Sequence, residues 1–233
     1  MADVLKELED FIAEFNHNRD EDFDIDSIRI EFNKSSSRLA KLNELGTWSK
    51  VSKNDQQIMK HIKVAYQDMK ITSVKRLDKL NIYYYNIADK PKYCKAVMVI
   101  FGLKQYHKDP PPRNIINSII AITKNISNVD VCKDIKYKPN LKELRTKFTL
   151  KRFMIPKQKI LTNTYYLNDT EDITKLFKKV VIYNKAEKNN LKGTLWRLEA
   201  NILIPNMKDI ESSIWLALNY FKDEVTNRAK VNI

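Results

Sequence analysis

The stretch from Lys179 to Pro205 restricts the fold more than any other part of the chain, because it reads as two β-strands and a connecting loop. Its first run, Val180–Tyr183, consists of residues that favour strands. In its second run, apolar side chains recur at every second position: Trp196, Leu198, Ala200 and Ile202. Side chains alternate between the two faces of a strand. The sequence therefore predicts a hairpin with one apolar face.

The other face of this hairpin is predicted to be polar. The same alternation brings four different functional groups to one side: a phenol, an amine, a guanidinium and a carboxylate, from Tyr183, Lys185, Arg197 and Glu199. Together they are typical of a phosphate-chemistry or metal site. The alternative is a solvent-exposed ladder of salt bridges, since one face of an antiparallel sheet is commonly wet.

The net charge of +13 is distributed unevenly along the chain. Residues 1–33 hold eleven Asp or Glu and three Lys or Arg, a net charge of −8, which leaves +21 for residues 34–233. So basic a region indicates a polyanionic partner, most often nucleic acid. Alternatively, the basic charge reflects a proteome that is rich in Lys, Asn and Ile, and does not indicate a polyanionic partner. One hypothesis for the acidic segment is that it mimics DNA and covers the basic face.

Several classes of protein are disfavoured. The three glycines, Gly46, Gly102 and Gly193, are too scattered for a phosphate-binding glycine loop, and three scattered histidines argue against a zinc site. The sequence contains no run of about 18 apolar residues, which is the length that a membrane-spanning helix needs. Cys94 and Cys132 lie in apolar runs, which favours core positions and a reducing, cytoplasmic location.

The order of predicted elements indicates an α+β fold. Apolar residues recur at helical spacing in residues 2–16 and 54–70, whereas strands mixed with single helices follow Ile71. We expect a mainly antiparallel sheet with helices packed on one face, plus a small helical N-terminal appendage. The predicted boundary near Met69 separates a helical region, 1–70, from a basic α+β domain, 71–233.

Two carboxylates on one predicted strand are candidate metal ligands. Asp130 and Asp134 share a face but are about 13 Å apart in an extended chain, too far to hold one ion together. Asp130 paired with Glu199 would suit a hard cation such as Mg²⁺ or Mn²⁺, with Asp134 outside the first layer of ligands. Alternatively, the two aspartates are exposed and balance Lys133 and Lys136.

Adjacent tyrosines on another strand offer a nucleophile. Within Thr164-Tyr165-Tyr166, one ring faces the core and the other faces away. An outward phenolate beside a bound phosphate can attack it and form a covalent phosphotyrosyl link. Aromatic packing on a sheet is the alternative, and it is common for tyrosine.

Taken in order, the segments VDVCKDI, NTYYL, KVVIYNKAEKN and LWRLEANI resemble the replication initiation factor family of plasmids and filamentous phages. That family has an Asp-rich strand, a Thr-x-Tyr strand, a Tyr-Asp-Lys strand and an Arg-x-Glu strand. The resemblance covers about residues 76–205. Here Asn184 replaces the usual aspartate, and Leu167-Asn168 replace the small residues that commonly follow Thr-x-Tyr.

The resemblance implies a DNA-nicking initiator of rolling-circle replication, acting on single-stranded DNA or a melted origin. It implies a divalent ion, Mg²⁺ or Mn²⁺, at Asp130 and Glu199, with or without Asp134. It implies Tyr166 as the nucleophile, with Tyr165 and Tyr183 as alternatives, and Lys185 and Arg197 as groups that steady the phosphate. A run of tyrosines, Tyr83–Tyr85, and Tyr106 would stack on unpaired bases or pack in the core.

Two other functions stay open at the level of sequence. A non-catalytic DNA-binding regulator of replication or transcription would keep the fold without the nuclease. Asn184, and Leu167-Asn168 in place of the small residues after Thr-x-Tyr, favour it. The other is a protein-interaction module, whose basic charge would reflect amino-acid composition alone and would not serve DNA binding. The oligomeric state, including a homodimer, is not fixed by the sequence.

Overall fold

The computed structural model describes residues 3–52, 55, 71–87, 95–104, 109–155, 158–168 and 171–230. The helices in this part are Val4–Arg19 (α1), Ser36–Asn43 (α2), Arg113–Thr123 (α3), Leu141–Lys147 (α4), Glu171–Leu176 (α5), Lys185–Lys188 (α6) and Ile210–Tyr220 (α7). A 3₁₀ turn, Met207–Asp209, precedes α7. After α7 the chain continues through a π-helical turn, Phe221–Thr226, into a last helical turn, Asn227–Ala229.

The strands are Asp24–Asn33 (β1), Trp48–Lys50 (β2), Ile71–Leu77 (β3), Ile82–Ile87 (β4), Lys95–Phe101 (β5), Asn128–Ile135 (β6), Thr149–Ile155 (β7), Ile160–Asn168 (β8), Phe177–Asn184 (β9) and Trp196–Leu203 (β10). Within each of the two units described below, neighbouring strands pair in antiparallel fashion. The predicted class, α+β with a mainly antiparallel arrangement of strands, is confirmed.

The chain divides into two compact units that are interleaved in sequence. The first combines Met1–Glu7 with Asp26–Ser127, and the second combines Leu8–Ile25 with Asn128–Ile233. The predicted boundary near Met69 and the predicted helix at residues 54–70 lie almost entirely outside the described residues. The division of the chain at residue 70 therefore stays a prediction.

In the first unit the strands follow the order β2-β3-β4-β5-β1. Tyr83 and Tyr85 point into a buried cluster with three valines of neighbouring strands: Val74, Val97 and Val99. Tyr84, on the opposite face, meets the ring of Trp48 at a centroid distance of 6.0 Å. Of the two alternatives for the run Tyr83–Tyr85, base stacking or core packing, the structure therefore has core packing. Tyr106 lies outside the described residues.

The N-terminal third contains more strand than the sequence indicates. Ile28, Ile30 and Phe32 lie on the ten-residue strand β1, and the three-residue strand β2 follows α2. All three side chains are buried, because β1 pairs with the apolar strand β5 along seven residues. The helical part of this region is therefore confined, among the described residues, to α1 and α2.

In the second unit the strands follow the order β6-β10-β9-β8-β7. The apolar face predicted for β10 is confirmed, since Trp196, Leu198, Ala200 and Ile202 are all buried. Ile202 lies opposite Phe177 of β9, whose ring contacts Phe221 after α7 at 6.2 Å. Helical segments therefore cover this face and leave the other face of β10 for the polar residues.

The acidic helix α1 adds to the core of the second unit. Its apolar stripe includes Leu8, Ile12 and Phe15, all buried, and the ring of Phe15 meets that of Trp215 edge-on at 5.1 Å. Its acidic residues lie on the solvent side, as expected of an amphipathic helix. No helix in the described ranges has the length and apolar character needed to cross a membrane.

Candidate functional site on strands β6, β8, β9 and β10

Strand register gathers the predicted site residues of four strands on one side of the second unit. Residues directly opposite each other in an antiparallel pair share a face. One cross-strand row joins Asp134, Arg197, Tyr183 and Thr164; the next joins Cys132, Glu199, Val181 and Tyr166; a third joins Asp130, Asn201 and Lys179. We call this side the polar face. The predicted convergence of Tyr183, Arg197 and Glu199 on one side of the sheet is therefore present in the structure.

Asp134 is held by two cations on this face. The guanidinium of Arg197 donates from Nε to Oδ1 at 2.7 Å and from Nη2 to Oδ2 at 3.0 Å. The Nζ of Lys185 donates to Oδ2 at 2.9 Å. Only 3% of the Arg197 side chain is exposed, so this is not the wet ladder of salt bridges considered from the sequence. Burial, together with the neighbouring charge of Arg197, lowers the pKa of Lys185 despite its bond to Asp134.

Lys185 reaches this position from a helix instead of a strand. The sequence interpretation extends β9 through Lys185, but β9 ends at Asn184 and Lys185 opens the one-turn helix α6. The side chain of Asn184 caps that turn by accepting a hydrogen bond from the Glu187 amide at 3.0 Å. Asparagine caps a helix about as well as aspartate. Asn184 therefore supports the turn that presents Lys185.

Glu199 occupies a second charged cluster. Lys179 donates from Nζ to Oε1 at 3.0 Å, and the Tyr183 hydroxyl donates to Oε2 at 3.3 Å. Burial by itself raises the pKa of Glu199, but the charge and hydrogen bond of Lys179, with Lys188 and Arg197, outweigh it and lower the pKa to about 2. At neutral pH this carboxyl is ionised and is a weak base.

Asp130 lies in a third, more deeply buried position. It is 3% exposed and accepts a 2.5 Å hydrogen bond from Nδ2 of Asn201. Asn201 in turn accepts from Nδ2 of Asn128 at 2.9 Å, which fixes the orientation of its amide. Asp130 and Asp134 share a face with Cys132 between them, as their spacing predicts. Each aspartate therefore has different polar partners.

These carboxylates do not form a ready metal centre. Within the described part of the chain, no group of three or more His, Cys, Asp or Glu side chains is close enough to hold a metal ion. Asp134 is engaged by Arg197 and Lys185, and Glu199 by Lys179. A divalent cation would have to displace these cations or share the carboxylates with them, at a Coulombic cost. The arrangement as it stands does not fit a metal ion, and the Asp130, Asp134 and Glu199 assignment stays a prediction.

The three candidate tyrosines differ in position. Tyr165 is turned to the other face, where its ring stacks on that of Trp196 at 6.5 Å and lies beneath the Arg152 guanidinium. Tyr183 is on the polar face, but it is buried, its hydroxyl is bound to Glu199 and its ring is covered by Lys188 Nζ at 4.4 Å.

Tyr166 combines the polar face with partial exposure. Its ring meets that of Phe153 edge-on at 6.3 Å. Burial raises the pKa of Tyr166, the charge of Lys179 opposes this rise, and Glu199 adds to it. Tyr166 therefore carries its proton at neutral pH, and the charges of Lys179 and Glu199 both influence it.

Sequence reasoning missed two cations of the polar face. Lys179 was detectable, because the alternation that places Val181 and Tyr183 on one face extends back to it. Lys188 was not, because it reaches the Tyr183 ring from a helical turn whose direction depends on the Asn184 cap.

Comparison with known proteins gives little beyond this geometry. No family model matches the sequence, and no curated protein matches it. Among solved structures, the chain is similar to a rolling circle replication initiator protein from Geobacillus stearothermophilus, with 10% sequence identity and a TM-score of 0.39; the likeness covers 84% of this chain and 79% of that chain. At that level of likeness, function has to be argued from the residues of this chain.

Proposed function

We propose that this chain is a DNA-binding replication initiator of the rolling-circle type, which cuts one DNA strand with Tyr166. The observation that carries the proposal is the polar face itself. Four motifs that are spread over about 70 residues of sequence meet there in adjacent strands, and Tyr166 feels the charges of Lys179 and Glu199 on that face. The surplus of +21 on residues 34–233 supports a DNA partner, because cations that contact phosphates release counterions.

In the proposed reaction, the Tyr166 oxygen attacks the phosphorus of one phosphodiester. A phosphotyrosyl bond forms to the 5′ phosphate, the bond from phosphorus to the 3′ oxygen breaks, and that oxygen takes up a proton to become a 3′ hydroxyl. Lys179, with Arg197, would stabilise the charge that develops on the phosphoryl oxygens. Tyr166 must lose its proton for the attack, and its raised pKa makes this a demanding step.

Binding of the phosphate would supply the base. A phosphate on Lys179 competes with Glu199 for the same ammonium, and the pKa of Glu199 is low chiefly because of that ammonium. Once Lys179 turns to the phosphate, the carboxylate would become more basic. Because Val181 lies between Glu199 and Tyr166 in their cross-strand row, a water would have to carry the Tyr166 proton to it. No step above depends on a metal ion, and metal dependence stays a prediction.

The alternative function is a DNA-binding regulator without catalysis. The ion pairs of Asp134 favour this alternative, because a carboxylate already neutralised by Arg197 and Lys185 has a structural role and needs no metal. Such a protein would bind DNA in a salt-dependent manner and leave it intact.

A nicking assay separates the two functions. The substrates are a supercoiled plasmid and a pool of random single-stranded oligonucleotides, with Mg²⁺, with Mn²⁺ or with EDTA. Tyr166→Phe is compared with Tyr165→Phe, a matched control that lies on the same strand but the opposite face. The proposal expects a covalent protein–DNA adduct that Tyr166→Phe abolishes and Tyr165→Phe preserves.

Each other outcome has a defined meaning. Loss of the adduct in Tyr165→Phe alone would reassign the nucleophile. Tight, salt-sensitive binding without any cleavage under all three metal conditions would establish the regulator. Absence of both binding and cleavage would contradict a DNA-related function and leave the charge as a matter of composition. Equal cleavage with EDTA and with Mg²⁺ would remove the metal from the prediction.

A further inference from the structure

Lys151, on the edge strand β7, lies directly opposite Tyr166. The two residues are partners in the register of β7 against β8, so Lys151 extends the cross-strand row of Glu199, Val181 and Tyr166. Residues directly opposite each other share a face and hold their Cβ atoms about 5 Å apart. In the strand order of the second unit, β7 comes last. The polar face therefore continues past Tyr166 to an edge strand, where Lys151 ends the row.

Lys151 differs from the other cations of the polar face because no residue engages it. Its side chain is exposed and makes no hydrogen bond or ion pair with any residue that the structure describes. The cations discussed above are held by a carboxylate or lie over an aromatic ring: Lys179, Lys185, Arg197 and Lys188. A phosphate that binds a cation already paired with a carboxylate has to weaken that ion pair, whereas a phosphate on Lys151 does not.

An aromatic ring lies on the same face, two residues further along β7. The irregularity between Arg152 and Met154 adds residues to β8, so β7 keeps its alternation and Phe153 shares the face of Lys151. The Phe153 ring is partly exposed and meets the ring of Tyr166 edge-on at 6.3 Å. Two residues of a strand span roughly 7 Å. One nucleotide covers a similar distance between its phosphate and its base.

The charge of this hairpin favours an anionic ligand. Residues 144–168, which include β7 and β8, contain six Lys or Arg and no Asp or Glu. The carboxylate of Glu187 reaches the hairpin and accepts a hydrogen bond from Nδ2 of Asn163 at 2.7 Å. Asn163 also bonds Arg152, whose guanidinium covers Tyr165 on the opposite face. A free cation beside an aromatic ring is the combination that proteins use to bind unpaired nucleotides.

We propose that Lys151 and Phe153 form a subsite for one unpaired nucleotide of the DNA strand that Tyr166 cuts. The proposal rests on the proposed function of the polar face. In this subsite Lys151 contacts a phosphate, and Phe153 stacks on the base attached to it. A base in a duplex is paired and lies between its neighbours, so it is not open to the ring. The subsite therefore selects single-stranded DNA over duplex DNA.

Lys151 acts on the position of the strand and not on the proton of Tyr166. The charges that influence the pKa of Tyr166 are those of Lys179 and Glu199. Lys151→Met should therefore slow nicking about tenfold through weaker binding of the strand, and leave the dependence of the rate on pH where it is. Lys179→Met, by contrast, should displace that dependence. The two variants separate a residue that positions the substrate from one that affects the nucleophile.

The first test measures single-strand binding independently of nicking. All proteins carry Tyr166→Phe, so that cleavage does not obscure the result, and the probe is oligothymidylate over a range of salt concentrations. Lys151→Met should reduce the slope of log affinity against log salt by about 0.7, the value of one phosphate contact with a single strand. Lys142→Met removes an exposed lysine of α4 that also has no partner among the described residues. It is the matched control and should leave the slope unchanged.

A photochemical cross-link locates the base. The oligothymidylate carries one 5-iodouracil, and peptide mass spectrometry identifies the residue to which the base is linked after irradiation. We expect a link to Phe153 with the single strand and none with the same sequence in a duplex. Phe153→Leu should remove the link and weaken single-strand binding about tenfold, the effect of losing one stacked base. Thermal melting checks that all variants are folded.

Each outcome decides the proposal. A reduced slope in Lys151→Met together with a link to Phe153 supports the subsite, even if the wild type never cuts DNA. A reduced slope without the link would overturn the base contact and with it the nucleotide subsite. Nicking that depends on Tyr166, with neither effect, would overturn the subsite and leave the proposed function in place. Absence of single-strand binding would overturn both.

Discussion

Arg197 and Asp134 form a two-bond ion pair, with Nε on Oδ1 and Nη2 on Oδ2, although 63 positions of sequence separate them. The planar guanidinium matches a carboxylate in this geometry, which an ammonium cannot reproduce. Because the pair is largely buried and joins β6 to β10, the two strands hold each other in register through side chains as well as backbone. This pair of charged residues on the polar face therefore stabilises the fold, whether or not it also takes part in a reaction.

The first prediction concerns this pair. Arg197→Ala should lower the free energy of unfolding by about 3 kcal/mol, because it removes the two guanidinium hydrogen bonds of the partly buried Asp134. Arg197→Lys should cost less, since it keeps the charge and loses one hydrogen bond. Lys175→Ala, which breaks an exposed pair with Glu171, should cost below about 0.5 kcal/mol. Urea unfolding followed by circular dichroism measures all three. Similar values for Arg197→Ala and Lys175→Ala would contradict the structural role.

The second prediction concerns acid. The pKa of Glu199 is about 2 in the folded chain and near 4.5 without these contacts. A depressed pKa stabilises the folded state fully above about pH 5, and the stabilisation is lost as the pH falls toward 2. Relative to Glu199→Gln, the wild type should lose about 2 kcal/mol of stability between pH 7 and pH 3. Urea unfolding at four pH values provides the comparison, and a difference that is constant with pH would count against the ion pair.

The third prediction links Lys179 to the nucleophile. Burial raises the pKa of Tyr166 and the Lys179 charge opposes this, so Lys179→Met should raise it further. Nicking should then be slower at neutral pH and recover at alkaline pH, with the whole profile displaced upward. Lys178→Met is the matched control, because Lys178 is the preceding residue of β9, carries the same charge and is exposed. The measurement is the nicking rate between pH 6 and pH 11. If Lys179→Met and Lys178→Met gave the same dependence of the nicking rate on pH, Lys179 would have no role in activating Tyr166.

The fourth prediction concerns the acidic segment. Phe15 is fully buried against Trp215, so Phe15→Ala should cost about 3–5 kcal/mol. Asp10→Asn, at an exposed position of the same helix, should stay within about 0.5 kcal/mol. Chemical unfolding gives both numbers. Removal of residues 1–33 would therefore unfold the chain, and DNA mimicry has to be tested with exposed substitutions such as Asp10→Asn. An increase in DNA affinity in that variant would support mimicry.

The strand period was enough to predict part of the site. Trp196 and Arg197 are adjacent, so they had to lie on opposite faces once β10 was recognised, and the structure confirms it. The sequence does not identify Asp134 as the partner of Arg197, because that contact depends on the register of β6 against β10. A slip of one residue would have placed Asp134 on the other face.

Lys185 shows a signal that was present and missed. Asn184 followed three positions later by Glu187 has the pattern of a helix N-terminus, and this local preference ends β9 one residue before Lys185. The burial of the Tyr83–Tyr85 run was harder to predict, because aromatic strands occur both in cores and on nucleic-acid surfaces. The environment of the run depends on Val97 and Val99 of β5. The local sequence around the tyrosines does not show that β5 pairs with their strand.

The interleaving of the two units has a consequence for synthesis. All residues of the first unit have been made once Ser127 leaves the ribosome, whereas Leu8–Ile25 must wait for strands that begin at Asn128. The stripe with Phe15 is therefore exposed while more than a hundred further residues are added, a time in which apolar surface invites aggregation or chaperone binding. Because like charges repel, the acidic residues of α1 would oppose association between nascent chains while this stripe is still uncovered.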